Sequence, residues 1–195
     1  MTDQYRTITN QIGEGFYSEK RSKFLAFAHH VTNENEVKEL LQAYKKKYYD
    51  ARHCCYAYML GADRSVFRAN DDGEPSSTAG KPILGQINAH ELTDILIVVV
   101  RYFGGTKLGT SGLIVAYRTA AAAAIENAQI ETRYVEDIID YSFTYPLLNE
   151  VMRVVKELEP RIVSQTFDNT CHISLAIRKS QAAELRQRLQ QLSFQ

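Results

Sequence analysis

The segment from residue 95 to residue 127 constrains this chain most. Residues 95–100 read Ile-Leu-Ile-Val-Val-Val, with no polar residue at either parity. A strand of that kind must be covered on both faces, so it predicts the middle of a sheet with layers on either side. It runs directly into Arg101-Tyr-Phe-Gly-Gly-Thr-Lys-Leu-Gly-Thr-Ser-Gly112, and then into an alanine-rich stretch, 113–127, that predicts a helix with Ser111 as its N-cap. The five consecutive alanines Ala120 to Ala124 would let that helix lie close against a sheet. A glycine-rich turn between a buried strand and a helix exposes backbone N–H groups, and with the helix dipole these favour an anion.

Two phosphate-binding patterns fail here. Gly104 and Gly109 have Walker spacing, but Thr110 stands where that loop needs lysine. Glycines at 104, 105, 109 and 112 cannot be registered as G-x-G-x-x-G, so the dinucleotide fingerprint fails as well. The candidate anion contacts are Arg101, Tyr102, Gly104, Gly105, Lys107, Gly109, Thr110 and Ser111, the cations and hydroxyls supplementing the turn amides.

A second polar stretch covers residues 70–82, Asn-Asp-Asp-Gly-Glu-Pro-Ser-Ser-Thr-Ala-Gly-Lys-Pro. Asp71, Asp72, Glu74, Ser76 and Ser77 are its candidate ligand residues, the alternative being a solvated loop whose hydroxyls cap the next helix. The aspartates lack the alternation of a calcium loop, and no metal or cofactor is expected. His53 reads as a plain strand histidine, because no Ser or Cys partner can be placed beside it. His29 and His30 read as structural or solvent-facing. None of Cys54, Cys55 and Cys171 has a base at defined spacing, so no thiol is expected to be catalytic.

Elsewhere, residues 5–12 and 23–31 predict strands separated by Gly13 and Gly15, with Phe24, Leu25 and Phe27 as core candidates. Val37, Leu40, Leu41, Tyr44 and Tyr48 predict an amphipathic helix, and Lys45 to Lys47 its solvated end. Residues 53–60 and 65–69 predict a strand pair, and 82–92 a helix. After Gln129 the glycines stop, which suggests a boundary near residue 130 and two domains, 1–130 and 131–195. The second part reads strand (135–144), helix from Pro146, strand (161–167), strand (171–178) and helix (181–192). This βαββα order predicts a split βαβ sandwich without a full last strand.

The chain has 23 Lys and Arg against 23 Asp and Glu, so any contact with a polyanion must be local. No apolar run approaches the roughly 18 residues of a membrane helix, and an odd count of cysteines suits a reducing compartment. A cytoplasmic protein with no membrane partner is expected.

The ordered positions Gly80, Ile83, Leu84, Ile87, Leu92, Val98, Val99, then Arg101, Tyr102, Phe103, Gly104, Gly105, Leu108 and Gly109, resemble the signature of the IMPACT/YigZ family. The resemblance extends to residues 52–56 and to Asp71-Asp-Gly-Glu-Pro-Ser-Ser77. It implies an α+β protein whose first domain is like domain 2 of ribosomal protein S5 and whose second is ferredoxin-like. The eukaryotic members' preceding RWD domain is absent, so a bacterial-type member is expected. That pair of domains is similar to the last two of elongation factor G, which implies a ribosome, an RNA or a translation-associated protein as partner. Eukaryotic members regulate translation through the activator of a kinase; that specific role does not carry over to a bacterial-type member. The family pattern implies no catalytic residues. Two alternatives stay open. Leu108-Gly-Thr-Ser-Gly112 resembles the phosphate loop of S5-fold small-molecule kinases, although Phe103 and Lys107 replace its proline and glycine. The same motif could also serve as a protein docking surface.

Overall fold

The computed structural model describes residues 3–194, which form two compact units. Tyr5–Arg133 makes one, and residues 134–194 with Asp3 and Gln4 make the other. The fold is mixed α+β.

Strand β1 (Gln4–Ile8) pairs with β7 (Ile130–Tyr134), and all but the end residues Gln4 and Tyr134 of this pair belong to the first unit. The main sheet has the order β2-β3-β6-β4-β5, formed by β2 (Gly13–Glu19), β3 (Ser22–His30), β4 (His53–Leu60), β5 (Val66–Asn70) and β6 (Ile95–Tyr102). All its neighbours are antiparallel. The apolar run of β6 takes the central place, as its uniform hydrophobicity requires. Ile95, Ile97 and Val99 pack in one core with α2 (Gly80–Ala89) and α3 (Gly109–Glu126), whereas Leu96, Val98 and Val100 pack in another with α1 (Glu34–Lys47).

Three local expectations are corrected. Gly13 and Gly15 do not break the chain; they lie in β2, and the first strand ends at Ile8. A Cβ on Gly15 would lie 2.5 Å from Ala124 N and 2.6 Å from Ala120 O, so these glycines let the alanine face of α3 touch the strand. Ser111 is not the N-cap of α3, which starts at Gly109 and carries no side-chain cap. The hydroxyls of residues 76–78 do not cap α2 either. Asp71 does so from nine residues upstream, accepting from the N–H groups of Ser77 (2.9 Å), Ala79 (3.1 Å) and Gly80 (2.9 Å).

The second unit carries β8 (Glu136–Thr144), α4 (Leu148–Leu158), β9 (Arg161–Phe167), β10 (Thr170–Arg178) and α5 (Lys179–Leu192). Its antiparallel sheet has the order β8-β10-β9, separate from the five-stranded sheet. Val151, Val154, Val155, Leu185 and Leu189 from the helices meet Ile139, Phe143, Cys171, Ile173, Leu175 and Ile177 from the strands. Asp3 belongs here because its carboxylate accepts from Arg178 Nε and Nη2 (2.7–2.9 Å) and from the Ser180 N–H at the start of α5 (3.0 Å). Arg178 holds the Asp3 carboxyl far below its usual 3.8.

Candidate functional site

The period of two along β6 puts residue 101 on the same face as Ile95, Ile97 and Val99. Arg101 thus enters the end of the α2/α3 core, where its cross-strand partners are Phe24 on β3 and His53 on β4. Its guanidinium sits 5.5 Å from the Phe24 ring centre and 5.6 Å from that of Phe103. A charge at such a position requires a counter-charge. The polar loop supplies one: Glu74, with a side chain only 2% exposed, accepts from Arg101 Nη1 at 2.5 Å and from the Tyr117 hydroxyl at 2.8 Å. His53 Nε2 is 3.5 Å from the same carboxylate oxygen. His53 Nδ1 is 2.7 Å from the backbone oxygen of Asp72, the geometry of an N–H donating to that carbonyl. Arg101 Nη2 reaches Ser22 Oγ at 3.4 Å, and Arg101 Nε is buried without a partner among the described residues.

Behind this cluster, the single S–H of Cys55 has two acceptors within reach, Asp71 O at 3.1 Å and Tyr117 Oη at 3.4 Å. Burial pushes the Cys55 thiol and the Tyr117 phenol far above their ordinary values, so both stay protonated. Burial also raises the Cys54 thiol to about 11.

In front of the cluster lies a cleft of about 330 Å³, lined by the Arg101–Glu74–His53 group, by Arg52 and Phe103, and by Lys107 to Thr110 at the start of α3. Arg52 stands over the Phe103 ring at 5.6 Å. No acidic residue occupies the first turn of α3. The uncapped positive end of that helix therefore opens onto a cleft that also holds Lys107 and Arg52.

Lys107, Gly109 and Thr110, expected as anion contacts, line the cleft, and Gly109 and Gly105 have φ of +73° and +90°, which favours glycine. Arg101 lines it too, but its charge is engaged by Glu74. Tyr102 turns to the opposite face and donates to Asp50 Oδ1 (2.9 Å), leaving Phe103 as the aromatic of the cleft. Gly104, Gly105 and Ser111 are outside the lining. Gly104 instead packs on the β2–β3 hairpin, where a Cβ would fall 2.2 Å from the Arg21 carbonyl carbon. Of the polar-loop candidates, Glu74 alone lines the cleft. Asp71 caps α2, Asp72 accepts from the Cys54 N–H (2.8 Å), Ser77 donates its N–H to Asp71, and Ser76 is exposed. No group of three or more His, Cys, Asp or Glu among the described residues could hold a metal. Sequence reasoning named Phe103 as a stacking residue but missed Arg52 and the role of His53; pairing the parity of β4 with that of β6 would have exposed the last.

Fold and site together define a two-unit α+β protein whose larger unit carries a cationic cleft at the end of a covered sheet, where the glycine turn meets α3. The Impact N-terminal domain matches residues 20–125, which span this cleft. The chain belongs to the IMPACT family. It is 36% identical to the IMPACT family member YvyE of Bacillus subtilis over 157 residues, 80% of this chain and 72% of that protein. It is 30% identical to the IMPACT family member YigZ of Escherichia coli over 178 residues, 89% and 86% of the two chains. A solved structure described as a hypothetical protein is similar over 99% of this chain and 94% of its own, at 26% identity and a TM-score of 0.74. No helix among the described residues is long and apolar enough to cross a membrane.

Proposed function

We propose that this protein is a cytoplasmic, translation-associated regulatory binding protein that holds phosphate groups of ribosomal or other RNA in the cleft beside the glycine turn. The observation that carries the reading is the start of α3, which has neither a capping side chain nor an acidic first turn and opens beside Lys107, Arg52 and Thr110. Phe103, 43% exposed, offers a face on which a base can stack. Membership of the IMPACT family supports a role connected with translation. The order β8-β10-β9 with two helices supports a ferredoxin-like second domain, and the covered antiparallel sheet of the larger unit supports an S5-like first domain.

The test is ribosome co-sedimentation and RNA titration at several salt concentrations, with Lys107→Ala beside the wild type. Lys107 is exposed and makes no ion pair among the described residues, so its removal should change stability by less than about 0.5 kcal/mol. It should weaken binding and lower the salt slope by roughly 0.7 to 0.9. Unchanged affinity and slope would reject the phosphate role of Lys107.

One observation favours a second reading, a phosphate- or nucleotide-binding enzyme: His53 and Glu74 meet at 3.5 Å in the lining of the cleft. Tight saturable binding of ATP with magnesium in calorimetry would favour it.

A further inference from the structure

Resting on the reading of the cleft as an RNA phosphate site, we infer that this RNA is bound as a single strand and that Lys20 and Arg21, at the tip of the β2–β3 hairpin, form a second phosphodiester contact for it. Glu19 pairs with Ser22, so these two residues are the whole loop, and both have positive φ, 45° and 67°. A two-residue turn of that hand is ordinarily built from Asn-Gly or Asp-Gly. Two long cationic side chains there carry a backbone cost that the turn itself does not need. Both side chains are exposed, and neither makes an ion pair among the described residues.

The tip is tied to the glycine turn. Gly104 lies against the backbone of Arg21 and Ser22, with its N–H donating to Ser22 Oγ at 3.1 Å. The register places Lys23 opposite Tyr102, and both Phe24 and His53 opposite Arg101, so hairpin tip, glycine turn and start of β4 share one end of the sheet. Exposed Lys20, Arg21, Lys23, Arg52 and Lys107 gather there. The carboxylates of that end are mostly engaged: Glu74 on Arg101, Asp50 on the Tyr102 hydroxyl, and Asp71 and Asp72 on backbone N–H groups. Glu19 stands beside the tip and accepts from the Tyr17 hydroxyl. A chain of zero net charge thus carries a local basic rim that leads across the glycine turn to the cleft. A phosphodiester strand is the ligand chemistry that uses cations spread along a rim, with the exposed Phe103 at its end for a base to stack against.

The test is fluorescence titration of a short labelled single-stranded RNA at several salt concentrations with the double variant Lys20→Asn, Arg21→Gly. This pair suits the turn, so the thermal midpoint should stay or rise, while affinity falls several-fold and the salt slope drops by roughly 1.4, about 0.7 per charge. The variant Lys20→Gln, Arg21→Gln keeps a side chain at each position and should show the same loss. If both bind like the wild type while Lys107→Ala binds weakly, the hairpin contact is refuted and the cleft stands. If the wild type binds no RNA even at low salt, the cleft reading falls and this inference with it. Equal competition by polyglutamate at matched charge would replace RNA by an acidic protein partner.

Discussion

Replacing Glu74 by Ala should be among the most destabilising single changes in the larger unit. Arg101 has a side chain only 6% exposed, and Glu74 is the carboxylate within ion-pair distance of it. Removing one partner of a buried pair typically costs about 3–5 kcal/mol, because the remaining charge stays desolvated and unpaired. Here the Tyr117 hydroxyl loses its acceptor as well. The 129 residues of Tyr5–Arg133 imply an unfolding entropy of about 0.27 kcal/mol/K, so 3–5 kcal/mol lowers the midpoint by roughly 10–20 °C. Calorimetry of the full chain, with circular dichroism to follow both units, reads this directly. The pair also makes a sharper comparison possible. Glu74→Leu combined with Arg101→Met removes both charges and should recover most of the loss, since apolar replacement of a buried pair is often neutral. A fall of less than about 1 kcal/mol for Glu74→Ala, with the fold intact, would refute the claim that Glu74 holds Arg101 in place.

Gly15→Ala should cost at least about 1–3 kcal/mol in urea unfolding, because the new methyl meets the backbone of α3 rather than a movable side chain; an unchanged midpoint would contradict the close approach of α3. Asp3→Asn should destabilise the second unit at neutral pH. The carboxyl is held below its usual 3.8, so its contribution is present above that value and is lost as pH falls further; the gap between wild type and variant in a thermal melt should be flat from pH 7 to about 4 and close below it. With its thiol raised to about 11 by burial, Cys54 should resist iodoacetamide at pH 8 in the folded protein and react on denaturation, as mass spectrometry would show.

Elements whose causes are local or periodic were legible in the sequence. The unbroken apolar run of β6 needs covering on both faces wherever it sits, and the stripes of α4 and α5 need one partner each. Arg101 to Gly112 announces a turn with exposed amides because glycine's conformational freedom is a property of the residue. Tertiary structure alone decided the rest. Gly13 and Gly15 look like chain breaks until the alanines of α3, more than a hundred residues later, are brought against them. The acidic loop reads in the sequence as either a ligand stretch or a solvated one, and only the fold shows Asp71 capping α2, Asp72 accepting from β4 and Glu74 facing the cleft. Lys20 and Arg21 form a turn with none of the usual turn residues, because the pairing of β2 with β3 imposes it. The Arg101–Glu74–His53–Tyr117 cluster draws on two strands, a loop and a helix. Such a cluster leaves no spacing to read, since the energy that assembles it lies in burying a charge against a partner that only the folded sheet brings near.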